Sequence, residues 1–73
     1  MITVLSTIGC SQCSLAKTIL RQKDLHYAEV SADSLPGKAM IAEYNIQSLP
    51  FILFNGEPIY NIKKLMEVTN ELS

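Results

Sequence analysis

The chain has 73 residues, 48% of them apolar and 18% charged, with a formal net charge of −1. That length gives room for a single domain over residues 1–73 with one small core, burying about 60–65% of the unfolded surface. The apolar fraction excludes a disordered chain, and the near-neutral charge offers no face for nucleic acid or for a membrane surface.

Ile2 to Ser6 is an apolar, β-branched run that reads as a buried strand. It has neither the basic flank nor the length of a secretory signal, and no stretch elsewhere is long and apolar enough to span a membrane. A reducing cytoplasm is therefore the expected setting, where paired cysteines are more often catalytic or metal-binding than structural. Thr7-Ile8-Gly9 forms a turn. From Ser11 to about Lys23 the spacing predicts a helix, with Leu15, Ala16, Ile19 and Leu20 on one face and Lys17, Arg21 and Gln22 on another.

Leu25 to Ser31 predicts a second strand. Asp33 or Ser34 is placed to cap a second helix, with Pro36 tolerated in its first turn and Ala39, Met40 and Ile41 carrying it to about Tyr44. Pro50 opens the run Phe51-Ile52-Leu53-Phe54, and Asn55-Gly56 suits the two positive φ angles of a type I′ hairpin. Pro58-Ile59-Tyr60 then reads as a short returning strand, with Pro58 suited to an edge. Ile62, Leu65, Met66, Thr69 and Leu72 form an apolar stripe at helical spacing and read as core. The order is β-α-β-α-β-β-α. Its first β-α-β unit predicts parallel strands, and the hairpin adds an antiparallel pair to the same sheet.

The only two cysteines are Cys10 and Cys13, at the predicted start of the first helix and just beyond a strand's carboxyl end. A helix N-terminus carries free N–H groups and about half a positive charge, which favours a thiolate over a thiol. In C-x-x-C motifs thiol pKa values fall from about 8.5 into the range of roughly 3.5 to 7.5. Cys10, nearest the helix start and open beside Gly9, is the candidate nucleophile. Cys13, one turn in on the same face, is the candidate resolving thiol.

Three other readings compete. A zinc site needs four ligands, and the single histidine, His26, supplies a third at best. Inert packing fits poorly with a loop-to-helix position. A cysteine hydrolase needs a histidine beside the thiol, and His26 falls in a separate predicted strand. A further possibility is a non-enzymatic metal-binding or adaptor module, dimeric through shared thiolates. Elsewhere, Tyr44 and Tyr60 read as half-buried packing residues, and Lys63 and Lys64, at a helix end that disfavours cations, read as a solvated pair or as contacts to an acidic partner.

Ser48-Leu49-Pro50 immediately precedes the third strand. A trans bond is the default there, since only about 5–6% of X–Pro bonds in folded proteins are cis. A cis bond would turn the Leu49 backbone outward, where its N–H and C=O could pair with an extended substrate.

Taken together, the strand before Cys10-Ser11-Gln12-Cys13, Ala16-Lys17 and Leu20, Tyr27-Ala28-Glu29-Val30, Tyr44-Asn45-Ile46-Gln47-Ser48-Leu49-Pro50 and Phe54-Asn55-Gly56-Glu57 resemble the thioredoxin–glutaredoxin superfamily. The match spans nearly the whole chain. C-x-Q-C with Q-x-L-P looks most like the NrdH-redoxins, small glutaredoxin-like electron donors of ribonucleotide reductase. The resemblance implies a thioredoxin-like α/β fold with a four-stranded mixed sheet and three helices. It also implies a cis Pro50, and a substrate site made by Gly9, Ser11, Gln12, Leu49 and Pro50 around the catalytic Cys10 and Cys13. No bound cofactor or metal is expected. A monomer would act on protein disulfides and draw electrons from thioredoxin reductase with NADPH, or from glutathione.

Departures from the glutaredoxin pattern bear on that choice. Thr7 and Gln12 stand where glutathione-binding members carry a lysine and an aromatic residue. Tyr60-Asn61 and Lys63-Lys64 stand where the G-G and D-D pairs would lie. Exchange of an acidic pair for a basic one disfavours the glutathione amine, so thioredoxin reductase is the expected donor. The W-S-G-F-R-P stretch of NrdH-redoxins and the W-C-G-P-C site of thioredoxins are both missing. No carboxylate lies in Ile2 to Ser6 to act as a base beneath Cys13, which leaves solvent to exchange that proton.

Overall fold

The computed structural model describes residues 1–71. Its elements are β1 (Ile2–Ser6), α1 (Ser11–Gln22), β2 (Ala28–Ser31), α2 (Leu35–Tyr44), β3 (Phe51–Phe54), β4 (Glu57–Ile59) and α3 (Ile62–Glu71). The sheet order is β2-β1-β3-β4. β1 pairs in parallel with β2, Thr3 opposite Ala28 through Ser6 opposite Ser31. It pairs antiparallel with β3, Ile2 opposite Phe54 and Leu5 opposite Phe51. This is the expected mixed four-stranded sheet with three helices.

Alternation along β1 and β3 divides the core between the two faces of the sheet. Ile2, Val4, Ile52 and Phe54 pack with Ala16 and Leu20 of α1 and Leu65 of α3. On the other face the Phe51 ring meets Tyr44 of α2 at 5.2 Å and Tyr60 at 5.3 Å between centroids. Both tyrosines also meet through Tyr60 Oη, which donates to the Tyr44 carbonyl at 3.4 Å.

Several predicted boundaries shift. β2 begins at Ala28 instead of Leu25, because α1 ends in a left-handed turn at Asp24 (φ 58°) and the chain must cross back to the sheet. Asp24 and Leu25 donate to the Arg21 and Leu20 carbonyls in that turn. Leu25 and Tyr27 pack against the core without joining the ladder. β4 ends at Ile59, which frees Tyr60 to lie on Phe51.

The predicted stripes are also narrower than expected. Leu15 is 43% exposed, since Cys13, Ala16 and Leu20 form the buried line of α1. On α3, Leu65 and Thr69 are buried while Met66 is half exposed. Thr69 satisfies its hydroxyl on the Leu65 and Met66 carbonyls. Leu72, the last member of that stripe, lies outside the described residues.

Ser34, one of the two predicted caps, accepts from Gly37 N at 3.1 Å and opens α2 with Pro36 in its first turn. Gly37 is the only buried residue of α2 and lies against the end of β2. A Cβ at Gly37 would overlap the Ser31 carbonyl oxygen and come 2.9 Å from its carbon. That oxygen cannot easily retreat, since it accepts from both Ser34 N and Ser34 Oγ. In an open helix, exchange of glycine for alanine gains about 1 kcal/mol. Here overlap with pinned backbone reverses the sign, and Gly37→Ala should lose roughly 1–3 kcal/mol. Urea denaturation checks this, and a variant as stable as the parent would refute the close approach.

Candidate functional site

β1 delivers the chain to the site and stops at Ser6, whose carbonyl accepts from Ala32 N at 2.8 Å. The chain then turns through Thr7-Ile8-Gly9. Gly9 has φ 80°, a conformation that costs residues with a side chain, and a Cβ there would meet nothing within 4 Å. The constraint is thus conformational and not one of space. Ile8, at the tip of the turn, is 97% exposed.

Cys10 is the N-cap of α1, extended at φ −93° and ψ 106°. Its sulfur takes the place usually held by a serine or aspartate oxygen and accepts from Cys13 N at 3.1 Å. Cys10 is half-buried, whereas Cys13 is 1% exposed. The two sulfurs form a disulfide with a Cα–Cα distance of 5.2 Å, inside the range such bridges require. Of the two residues, Cys10 is therefore the more accessible.

An open cavity of about 640 Å³ lies beside the bridge. Its lining includes Gly9, Cys10, Ser11 and Cys13 together with Ser6, Lys17 and Glu29. Lys17 Nζ donates to Glu29 Oε2 at 2.9 Å, and Ser6 Oγ donates to the same oxygen at 2.8 Å. The Lys17 ammonium and the Ser6 hydroxyl hold the Glu29 carboxyl below the ordinary glutamate range, Lys17 having the larger effect.

The remaining predicted residues divide. Gln12 is exposed and does not line the cavity. The Leu49–Pro50 bond is cis, in line with the resemblance. Pro50 is buried and Leu49 half-buried, and both lie outside the cavity. Pairing of Leu5 with Phe51 puts Pro50 level with Ser6, at the same end of the sheet as the Cys10 turn but on the β3 side. The cavity lies on the β2 side. The bridge thus has two flanks.

His26 is exposed and lies with Met1 and Ile2 at the opposite end of β1, so it is not placed to serve Cys10 as a base. Among the described residues no group of three or more His, Cys, Asp or Glu side chains is placed to hold a metal ion. Lys63 and Lys64 are exposed at the start of α3, where Asn61 Oδ1 accepts from Lys64 N at 2.8 Å.

Lys17 and Glu29 are not among the site residues expected from the motif, yet the sequence carries a signal for each. Lys17 follows Cys13 by four residues and so shares its helical face. Parallel pairing sets Glu29 opposite Val4, on the same face of the sheet as Ser6.

The strand, the sulfur-capped helix and the cis proline at the start of β3 define a thioredoxin-like fold carrying a C-x-x-C bridge. Solved structures agree on that fold. The thioredoxin-like protein BC3987 superposes with a TM-score of 0.81 at 24% identity, covering 93% of this chain and 99% of that one. NrdH-redoxin from Escherichia coli, described as having a thioredoxin-like activity profile, gives a TM-score of 0.77 at 18% identity over 99% of this chain and 93% of its own. Buckwheat glutaredoxin, solved with glutathione, gives 0.76 at 20% identity over 96% of this chain and 68% of its own. No curated protein sequence matches.

The glutaredoxin family model matches residues 2–59, a span that includes both cysteines and Pro50. The chain belongs to the glutaredoxin family, and with its paired cysteines it is a thiol–disulfide oxidoreductase in the general sense. Among the described residues no helix is long and apolar enough to cross a membrane.

The Glu29 ion pair makes a pH-dependent contribution of known sign. Because the folded-state value is the lower one, the stabilisation is present above the ordinary glutamate value near 4.5 and fades as the pH falls below it. Urea midpoints taken between about pH 3 and 6 should therefore fall less steeply for Glu29→Gln than for the parent. Parallel curves would remove this pair from the acid response.

Proposed function

We propose that this chain reduces disulfides in protein substrates by a dithiol cycle at Cys10 and Cys13. The observation that carries the reading is the difference between the two cysteines, Cys10 half-buried at the tip of α1 and Cys13 buried one turn in. In the reduced protein, Cys10 as thiolate attacks a substrate disulfide. One substrate sulfur leaves and takes up a proton, and a mixed disulfide forms. Cys13 then loses its proton and attacks Cys10 Sγ, which releases the second substrate thiol. Two electrons pass to the substrate, and the chain is left with the bridge seen here.

Three features support Cys10 as the entering group. It has an open approach past Gly9, it lies at the N-terminal end of a helix dipole, and its sulfur already accepts a backbone N–H. On the other flank, neither the N–H nor the C=O of Leu49 enters a backbone hydrogen bond among the described residues. An extended substrate would pair there, with Pro50 beneath it and Gly9, Ser11 and Gln12 bordering the reacting sulfurs.

The cycle closes through an outside reductant. Lys63 and Lys64, both exposed at the start of α3, favour thioredoxin reductase with NADPH over glutathione, whose amino group a basic pair repels. Ribonucleotide reductase is the acceptor that the likeness to NrdH-redoxin suggests.

Insulin reduction by dithiothreitol tests the cycle. Cys10→Ser should fall to the rate of dithiothreitol alone, and Cys13→Ser should accumulate a mixed disulfide with substrate. Parent-like behaviour of both variants would end the dithiol reading. The donor is tested by NADPH oxidation with the oxidised protein. Turnover is expected with thioredoxin reductase, and turnover only with glutathione and glutathione reductase would reassign the donor.

A further inference from the structure

The ion pair in the cavity lies partly in solvent, so its contribution to the fold is small. Lys17 and Glu29 side chains are 22% and 47% exposed, and solvent screens ion pairs of that kind. Their placement is more telling. Lys17 stands one helical turn beyond Cys13 on the same face, where residues four apart have Cβ atoms about 5–6 Å from each other. Both cysteines and both charged groups line one cavity. A positive charge there favours a thiolate, and Glu29 opposes it through its bond to Lys17 Nζ.

We propose that Glu29 is a positioning residue for the redox couple: by holding and offsetting the Lys17 ammonium beside the bridge, it limits the ionisation of the reduced thiols and keeps the couple reducing. The inference rests on the thiol–disulfide reading above. When a dithiol reductant opens the bridge, it supplies two electrons and two protons and becomes a disulfide itself. The chain's S–S bond becomes two thiols, one of which passes its proton to water to the extent that its surroundings favour the anion. The disulfide carries no such charge, so whatever stabilises the thiolate stabilises the reduced form and makes the couple more oxidising.

The other charges around the cavity leave this pair in control. β1, β3 and the turn Thr7-Ile8-Gly9 carry no ionisable side chain. Arg21 lies one further turn along α1 and also acts on Glu29. Asp33 is exposed in the turn after β2. Lys63 and Lys64 begin α3 beyond β3, on the proline flank, and Tyr44 and Tyr60 lie against Phe51 on the opposite face of the sheet. Ser6 Oγ, the second donor to Glu29 Oε2, fixes the carboxylate from beneath.

Two single-charge deletions separate this role from a structural one. Glu29→Gln keeps the shape and an acceptor oxygen but leaves Lys17 uncompensated. The lower thiol midpoint, followed by thiolate absorbance, should drop, with the ionisation constant rising about threefold or more. The equilibrium with a dithiothreitol redox buffer should move toward the reduced protein. Lys17→Gln should shift both readouts the opposite way, and the double variant should return toward the parent. Shifts of one sign in both variants, or no shift in either, would overturn the proposal even where the parent cycles normally. A parent with no reversible couple in the buffer would instead overturn the underlying thiol–disulfide reading.

Discussion

The double pairing of β1 is the constraint from which the rest of the molecule follows. It is hydrogen-bonded to β2 on one edge and to β3 on the other, and its consecutive residues Val4 and Leu5 are both fully buried, one on each face. A five-residue strand held on four sides has no freedom of register, since a slip of one residue would exchange its two faces. Its end is therefore fixed, and so are the residues that leave it. The Cys10 turn, the Pro50 position across from Ser6 and the Glu29 carboxylate all take their places from this strand.

The architecture was legible in the sequence where one local rule decided the outcome. The bounds of β1 and β3 and the Asn55-Gly56 turn with φ of 51° and 89° followed from patterning and turn chemistry, and Ser34 is one of the two caps the same rules offered. Boundaries went astray where tertiary packing outranked local preference. Leu25 to Tyr27 has strand character, but the left-handed exit at Asp24 makes those residues a bridge back to the sheet. Leu15 and Met66 satisfied an apolar period on short helices that each have only one neighbouring layer to cover them.

The site was legible in its sulfurs and less so in its surroundings. Cys10 and Cys13 stood out by spacing alone, and the cis geometry at Pro50 came from resemblance, not from any rule about X–Pro bonds. Lys17 and Glu29 are 12 residues apart in sequence and belong to elements with different periods. Their meeting required knowing which face of β2 looks toward α1, and the short, exposed pattern of β2 conceals that. The carboxylate comes from β2, the strand beside β1, so the residues of β1 alone give no sign of it.

The sulfur cap of α1 carries a mechanical implication. In most helices the capping atom is a bystander, but here it is one of the two atoms whose bond would be made and cut. A liberated Cys10 anion would remain a suitable acceptor for the amide of Cys13, so the first turn need not unwind between states. Electron transfer would then rearrange two side chains above a stationary backbone, and partners that dock on the surrounding surface would meet nearly the same contour before and after the exchange.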